Sequence, residues 1–455
     1  MFEDTIIAVS TPLGFGGLGV IRLSGKQSLS IAKIIFKPKN NKNPFLPRKT
    51  ILGNLYDIKH NEIFEEAYLT FFPAPKSYTT EDVIELSCHG SPVILEEIVR
   101  QGIKAGARHA NPGEFTLRAF LGGRIDILQA EAVNDLIHAS SLKQAKISYN
   151  QMEGALSRKI IELRSQIVQI LSQAEANIEF PDEGFKISKH KIANTIEKAE
   201  QTIDKLVKSY DLGKTLAEGV TLAILGRSNV GKSTLFNILL EQERAIVTPH
   251  PGTTRDYLRE NLKIKDSIFT LVDMAGLDNS SHPAEKEGIN RGKKIAASAD
   301  GILLVLDSSK KESPEDYKLI REYCNQKIIL LYNKCDLPLK MDVEKTSKLR
   351  SGIPHLEISA LNRTNIEKLK EQIYALFVRN DIKGNEIILH LRQKLLLEDI
   401  QATLLEARRA LKEGFPEEII VEEIRKIQPL IGQMTGEIGA DEILDNIFSH
   451  FCIGK

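Results

Sequence analysis

Gly226-Arg227-Ser228-Asn229-Val230-Gly231-Lys232-Ser233 fits the spacing G-x-x-x-x-G-K-[ST]. Glycines at such positions let backbone N–H groups turn inward around phosphate oxygens. A helix opening at Thr234-Leu235-Phe236 adds the partial positive charge of its N-terminus. In that frame Lys232 reaches the β- and γ-phosphates of a nucleotide, and the Ser233 hydroxyl ligates Mg²⁺. The apolar run Val220–Leu225 supplies the strand that must precede such a loop.

Further motifs follow in order. Asp273-Met274-Ala275-Gly276, after the strand-like run Phe269–Val272, fits D-x-x-G, whose Asp holds Mg²⁺ and whose Gly N–H meets the γ-phosphate. Asn333-Lys334-Cys335-Asp336, after Ile328–Tyr332, fits N-K-x-D. A carboxylate at Asp336 accepts from guanine N1–H and the N2 amino group; adenine has neither donor and would strand it. Ser359-Ala360-Leu361 fits the weakest guanine-loop motif. Pro251-Gly252-Thr253-Thr254-Arg255-Asp256 lies between the first two motifs. Thr254, with Thr253 as runner-up, is the candidate to complete the Mg²⁺ shell. Together these resemble the GTPase superfamily, with GTP preferred over ATP. One residue departs: the position that in many small GTPases holds a water-orienting Gln is Leu277, which can neither orient nor activate water. The stretch Pro283–Gly288 offers two carboxylates instead, Glu285 and Glu287.

The chain of 455 residues is long for one domain. Residues 1–119 carry short β-like runs, such as Thr5–Val9, Gly19–Leu23 and Val83–Ser87, with helical patterns such as Ile94–Val99, and read as α+β. From about Ile125 the period becomes helical, with Ile160, Leu163, Ile167, Ile170 and Leu171 on one face, then Ile192, Ile196, Ala199, Ile203 and Leu206. The helical period returns with Leu397, Ile400, Leu404, Ala407 and Leu411. Between lie strands alternating with helices, the signature of a parallel α/β sheet. The expected layout is an α+β domain (1–119), a helical domain in two parts (120–215 and 380–455), and a P-loop α/β domain inserted at 216–379.

Lys+Arg and Asp+Glu are both 61, so no overall basic field draws the chain to nucleic acid, and RNA contact would use a local patch. Cys88, Cys324, Cys335 and Cys452 form no C-x-x-C pair. An acidic start without a signal-peptide pattern, and no apolar run of membrane-spanning length, imply a cytoplasmic chain with no membrane partner.

Outside the nucleotide motifs, Thr11-Pro12 with its glycines, Val20–Gly25, Tyr78–Val83, Cys88-His89-Gly90, Pro112–Thr116, Arg118-Ala119-Phe120, Asp126, Gln129–Ala132 and the terminal Phe451–Lys455 form a second set. With this set the chain closely resembles the MnmE (TrmE) family of tRNA modification GTPases over essentially its full length. The resemblance implies a folate-binding N-terminal domain through which homodimers form. It also implies an FAD-dependent MnmG-type partner, in a heterotetramer, that helps place a carboxymethylaminomethyl-type group on C5 of the wobble uridine of certain tRNAs. The carbon comes from 5-formyl- or methylene-tetrahydrofolate. Folate contacts fall on Arg22, Glu81, Arg124 and Lys455. The nucleotide site comprises Asn229, Val230, Gly231, Lys232, Ser233 and Thr234; then Thr248, Pro249, His250, Pro251, Gly252, Thr253 and Thr254; then Asp273, Met274, Ala275 and Gly276; then Asn333, Lys334, Asp336, Ser359 and Ala360.

The family is activated when two G domains meet and K⁺ binds beside the phosphates. That places Asn229, Thr248, His250 and Thr253 at K⁺, Ser233 and Thr254 at Mg²⁺, and Glu285 at the attacking water, with Lys232 and Thr254 as catalytic partners. Met274 stands where the family usually has Thr, and Arg124 where Lys is also seen. Cys452 invites either a chemical or a positioning role near the folate. Two rival readings are a ribosome-assembly or other regulatory GTPase switch, and a folate-dependent transferase with a structural nucleotide domain.

Overall fold

The computed structural model describes residues 3–39, 45–179, 189–243, 258–273, 296–323, 326–347, 349, 352–378, 387–438 and 441–455. The chain separates into two compact units, 1–134 with 151–196 and 402–455, and 135–150 with 197–401.

The first unit begins with a seven-stranded sheet. Its strands are β1 (Ile6–Val9), β2 (Gly16–Ser24), β3 (Phe36–Pro38), β4 (Thr50–Tyr56), β5 (Ile63–Phe72), β6 (Val83–Gly90) and β7 (Arg108–His109), in the order β3-β4-β5-β6-β2-β1-β7. All neighbours are antiparallel except β1 and β7. Strand alternation sorts the side chains. Ile21 and Leu23 of β2 join a core with Ile31 and Ile35 of helix Ser28–Ile35, and with Leu95 and Ile98 of helix Pro92–Lys104. Arg22 and Ser24, one residue out of phase, face the other side. There Ile6 and Ala8 pack with Phe115 of helix Glu114–Leu121. Helix Glu114–Leu121 lies ahead of the Ile125 from which the helical period dominates, because a helix of 8 residues shows too few turns to register a stripe.

The helical stripe Ile160, Leu163, Ile167, Ile170 and Leu171 is buried on helix Ala155–Glu179. That helix packs against helices Glu417–Arg425 and Ile427–Thr435. The last residues then return to the sheet. Pro112 bridges Ile453, the Gly113 N–H donates to the Cys452 carbonyl at 3.4 Å, and the Ser10 hydroxyl donates to the Gly454 carbonyl at 3.1 Å. Gly454 has φ +92°, and a Cβ there would lie 2.2 Å from the Val9 carbonyl oxygen, so this seat requires glycine.

The second unit holds a six-stranded sheet of β8 (Val220–Leu225), β9 (Leu258–Ile264), β10 (Ser267–Asp273), β11 (Gly301–Asp307), β12 (Ile328–Asn333) and β13 (His355–Glu357), in the order β13-β12-β11-β8-β10-β9. Only edge strand β9 is antiparallel to its neighbour. β11 and β12 are buried throughout because both faces are covered. Leu303, Val305, Ile329 and Leu331 feed one core, and Ile302, Leu304, Leu306, Ile328, Leu330 and Tyr332 the other.

Candidate nucleotide and folate sites

In an open parallel sheet, ligands lie beyond the carboxyl ends of the strands. β8, β10, β11 and β12 end near Leu225, Asp273, Asp307 and Asn333. Gly226 leaves β8 at φ +147°, where a Cβ would lie 2.3 Å from the Val305 carbonyl oxygen. Asn229 takes φ +65°, and helix Lys232–Glu243 starts inside the motif, two residues before Thr234. Lys232 is buried, and its Nζ donates to the carbonyls of Gly226 at 2.6 Å and Arg227 at 3.0 Å. Asp273 ends β10 in register with Ile224 of β8, beside the loop. Ser233 is exposed at the start of its helix.

The Asn-Lys pair grips this loop. Asn333 Nδ2 donates to the Val230 carbonyl at 2.7 Å, while its Oδ1 accepts from the Ala360 N–H at 2.9 Å. Lys334 Nζ donates to the Asn229 carbonyl at 2.8 Å and to Asp307 Oδ2 at 2.7 Å. Ser359 closes its own turn through backbone hydrogen bonds with Thr364. The result is a cleft of about 570 Å³ lined by Ser228, Asn229, Gly231–Thr234, Asn333, Lys334, Asp336, Leu337 and Ser359–Leu361. Asp336 is exposed in it. Asp307 had no sequence motif to announce it; a polar residue ending a buried strand was the available signal. Thr248, Pro249, His250, Pro251, Gly252, Thr253, Thr254, Met274, Ala275, Gly276 and Glu285 lie outside the described residues, as do Leu277 and Glu287.

In the first unit, Arg22 pairs with its cross-strand neighbour Glu85 through Nε at 3.0 Å and Nη2 at 2.7 Å. Its guanidinium lies 5.4 Å from the Tyr78 ring centroid and 5.8 Å from that of Phe115. Arg22 Nη1 is buried with no hydrogen-bond partner among the described residues. Arg124 covers the same Tyr78 ring at 4.8 Å and donates to the Tyr78 carbonyl at 2.9 Å. Burial, then the nearby charge of Arg22, holds the Lys455 ammonium below the ordinary lysine range, against the pull of Glu85 and Cys452. Arg22 and Arg124 therefore share the Tyr78 ring, and Lys455 lies within charge range of Arg22 and its partner Glu85.

Glu81 is held separately. Its Oε2 accepts from Ser24 Oγ at 2.8 Å and from Arg118 Nη1 at 3.1 Å. It lines a cleft of about 700 Å³ with Lys26, Thr79, Thr80, Asp82 and Arg118, among others. Arg118 is buried, and also pairs with Asp4 at 2.8 Å and Glu114 at 2.9 Å. In the sequence Arg118 stands out only as part of Arg118-Ala119-Phe120; its burial is a tertiary fact. Burial and Glu65 push the Cys88 thiol up to about 12, which makes it unreactive, whereas Cys452 is exposed.

The parallel sheet, the phosphate-loop motif leading into a helix, and the Asn-Lys-x-Asp motif beyond β12 define a P-loop GTPase. Residues 5–124 match the family model described as the GTP-binding protein TrmE N-terminus, and residues 127–452 match the MnmE helical domain. A tRNA modification GTPase MnmE of Natranaerobius thermophilus is 39% identical, with 100% of both chains covered. One from Syntrophus aciditrophicus is 37% identical, again with 100% of both covered. Among solved structures, a variant of Aquifex aeolicus Era bound to GDP and AlF4− is 24% identical, covering 41% of this chain and 67% of that one with a TM-score of 0.30. The chain belongs to the MnmE (TrmE) family of tRNA modification GTPases. Among the described residues no helix is long and apolar enough to cross a membrane.

Proposed function

We propose that the second unit binds and hydrolyses GTP with Mg²⁺ and K⁺, and that hydrolysis drives a tRNA-modifying cycle. In that cycle the chain acts as a homodimer with an MnmG-type FAD protein. Together they add a carboxymethylaminomethyl-type group to C5 of the wobble uridine of certain tRNAs, with the carbon drawn from a tetrahydrofolate. The observation that carries the nucleotide reading is the cleft in which Asp336, Asn333 and Lys334 meet the loop Ser228–Ser233.

Hydrolysis breaks the bond between the γ-phosphorus and its bridging oxygen as water attacks, releasing GDP and phosphate. Lys232 neutralises charge on the β- and γ-phosphates, Glu285 orients the water, and Thr254 closes over the γ-phosphate. Ser233 and Asp273 fit Mg²⁺ by their place beside the loop, with Thr254 as a further ligand. Asn229, with Thr248, His250 and Thr253, would hold K⁺. A cation there supplies charge neutralisation between the phosphates.

The orphaned Nη1 of Arg22, with Lys455 and Arg124 close by, fits acceptors on a folate or its glutamate tail. The Glu81 carboxylate fits pterin donors. Leu13 and Phe15 on the β1–β2 connection, and Leu18 near the start of β2, are exposed apolar surface that a homodimer would cover.

The test is steady-state GTP hydrolysis in KCl and NaCl at equal ionic strength. K⁺ should accelerate the wild type strongly, and Asn229→Ala should lose that acceleration. Glu285→Ala should be slow in both salts. Equal wild-type rates in the two salts would remove K⁺ from the reading and favour the assembly-factor alternative.

A further inference from the structure

Asp307 stands outside every nucleotide motif, at the buried end of β11. Its two carboxylate oxygens have distinct partners. Oδ1 accepts from the Ser309 N–H at 3.1 Å and the Ser309 hydroxyl at 2.6 Å. Oδ2 accepts from Lys334 Nζ at 2.7 Å. The Ser309 bonds fix the carboxylate's rotamer and leave Oδ2 aimed at the lysine. Lys334 in turn donates to the carbonyl of Asn229, whose backbone is left-handed. Its neighbour Asn333 grips the next carbonyl of the same loop, that of Val230.

The two linkages differ in kind. Asn333 is buried and held by its own backbone strand, so its amide has little choice of position. Lys334 ends in a flexible four-carbon stem, about a third exposed, and an ammonium on such a stem is free to swing into water. A fixed anion at Oδ2 removes that freedom. Burial alone would raise the Asp307 pKa, but the Lys334 and Ser309 hydrogen bonds outweigh it and hold the carboxyl below the usual carboxylate range, so the anion persists at neutral pH.

We infer that Asp307 is a positioning residue for nucleotide binding: through Lys334 it holds the guanine-recognition loop against the phosphate loop at Asn229. This rests on the GTPase reading of the cleft. An Asp307→Asn substitution keeps the shape but removes the anion, so the ion-paired hydrogen bond becomes at best one from the Lys334 ammonium to a neutral amide. The loss expected is about tenfold in guanine-nucleotide affinity. It should fall equally on GTP and GDP, because the link does not touch the γ-phosphate.

The experiment is a double-mutant cycle of Asp307→Asn and Lys334→Gln in the full-length chain. It reads GTP KM and kcat, the Kd of a fluescent-labelled GDP, and the thermal midpoint. The expected result is a KM raised about tenfold in Asp307→Asn, with kcat within about twofold of wild type. In the Lys334→Gln background, Asp307→Asn should add less than about twofold, since its effect travels through the lysine. A full tenfold additional loss in that background would overturn the inference, as would an unchanged KM in folded Asp307→Asn. If Asp307→Asn fails to fold, Lys334→Gln breaks the same link from the exposed side, and an unchanged KM there also overturns it. A wild type that binds no guanine nucleotide would instead overturn the GTPase reading itself.

Discussion

Asn333 joins the phosphate loop to the guanine loop through one side chain, so Asn333→Ala should be far more damaging than its size suggests. The amide is 2% exposed. Its loss leaves the Val230 carbonyl and the Ala360 N–H without the partners now at 2.7 and 2.9 Å. Each stranded buried group costs about 1–3 kcal/mol. Both loops line an open cleft and can relax toward water, which favours the low end of the summed range of about 2–6 kcal/mol, about 2–3 kcal/mol. That cost falls on the arrangement that binding requires. At about 1.4 kcal/mol per decade, guanine-nucleotide affinity should drop by roughly 30- to 150-fold. Asn333→Asp separates the two bonds. It keeps an acceptor for Ala360 but turns a carboxylate oxygen toward the Val230 carbonyl, so it should also bind poorly while retaining the Ala360 contact. Titration with a fluorescent GDP analogue measures both, with thermal melts to verify folding. A folded Asn333→Ala protein that binds within threefold of wild type would refute the reasoning.

Two further predictions concern the first unit. Burial alone would raise the Glu114 pKa, but bonds from Arg108, the Asn111 N–H and Arg118 hold it below the ordinary value. Its contribution to stability is therefore present above the unfolded-state pKa, near 4.3, and is lost as pH falls through the lower folded value. Thermal melts from pH 7 downward should show stability falling in that acid window, and Glu114→Gln should have a shallower fall from a lower starting point. Gly454→Ala places a methyl 2.2 Å from the Val9 carbonyl oxygen on a backbone at φ +92°. It should dislodge the tail, raising hydrogen exchange at 452–455 and, on the proposed folate reading, weakening tetrahydrofolate binding, with GTP affinity unchanged within twofold.

Much of this architecture is legible in the sequence because it obeys short-range rules. The runs Val220–Leu225, Ile302–Leu306 and Ile328–Tyr332 are strands because uninterrupted β-branched and aliphatic residues suit a sheet covered on both faces. The helical stripe at Ile160–Leu171 is buried because its period matches one face of a helix. What sequence could not reach is partnership across distance. Arg118 meets Asp4 from 114 residues away, and Lys334 meets Asp307 from 27. Nothing local in Lys-Cys-Asp or Arg-Ala-Phe announces those partners. Glu81 and Arg22 share a motif-based assignment, yet the fold gives Glu81 to Arg118 and Ser24, and Arg22 to Glu85 and Tyr78. Ser24 and Arg22 nevertheless lie on one face of β2, so the two clusters are neighbours.

The central claim is that the cleft reads guanine through Asp336, and nucleotide exchange at that residue tests it most directly. Wild type and Asp336→Asn are compared for hydrolysis of GTP, ATP and XTP. The carboxylate accepts from guanine N1–H and N2–H, whereas an amide can donate to the C2 oxygen of xanthine. Wild type should prefer GTP strongly over ATP and XTP, and Asp336→Asn should prefer XTP. Wild type turning over ATP as well as GTP, or Asp336→Asn keeping full GTP preference, would contradict it.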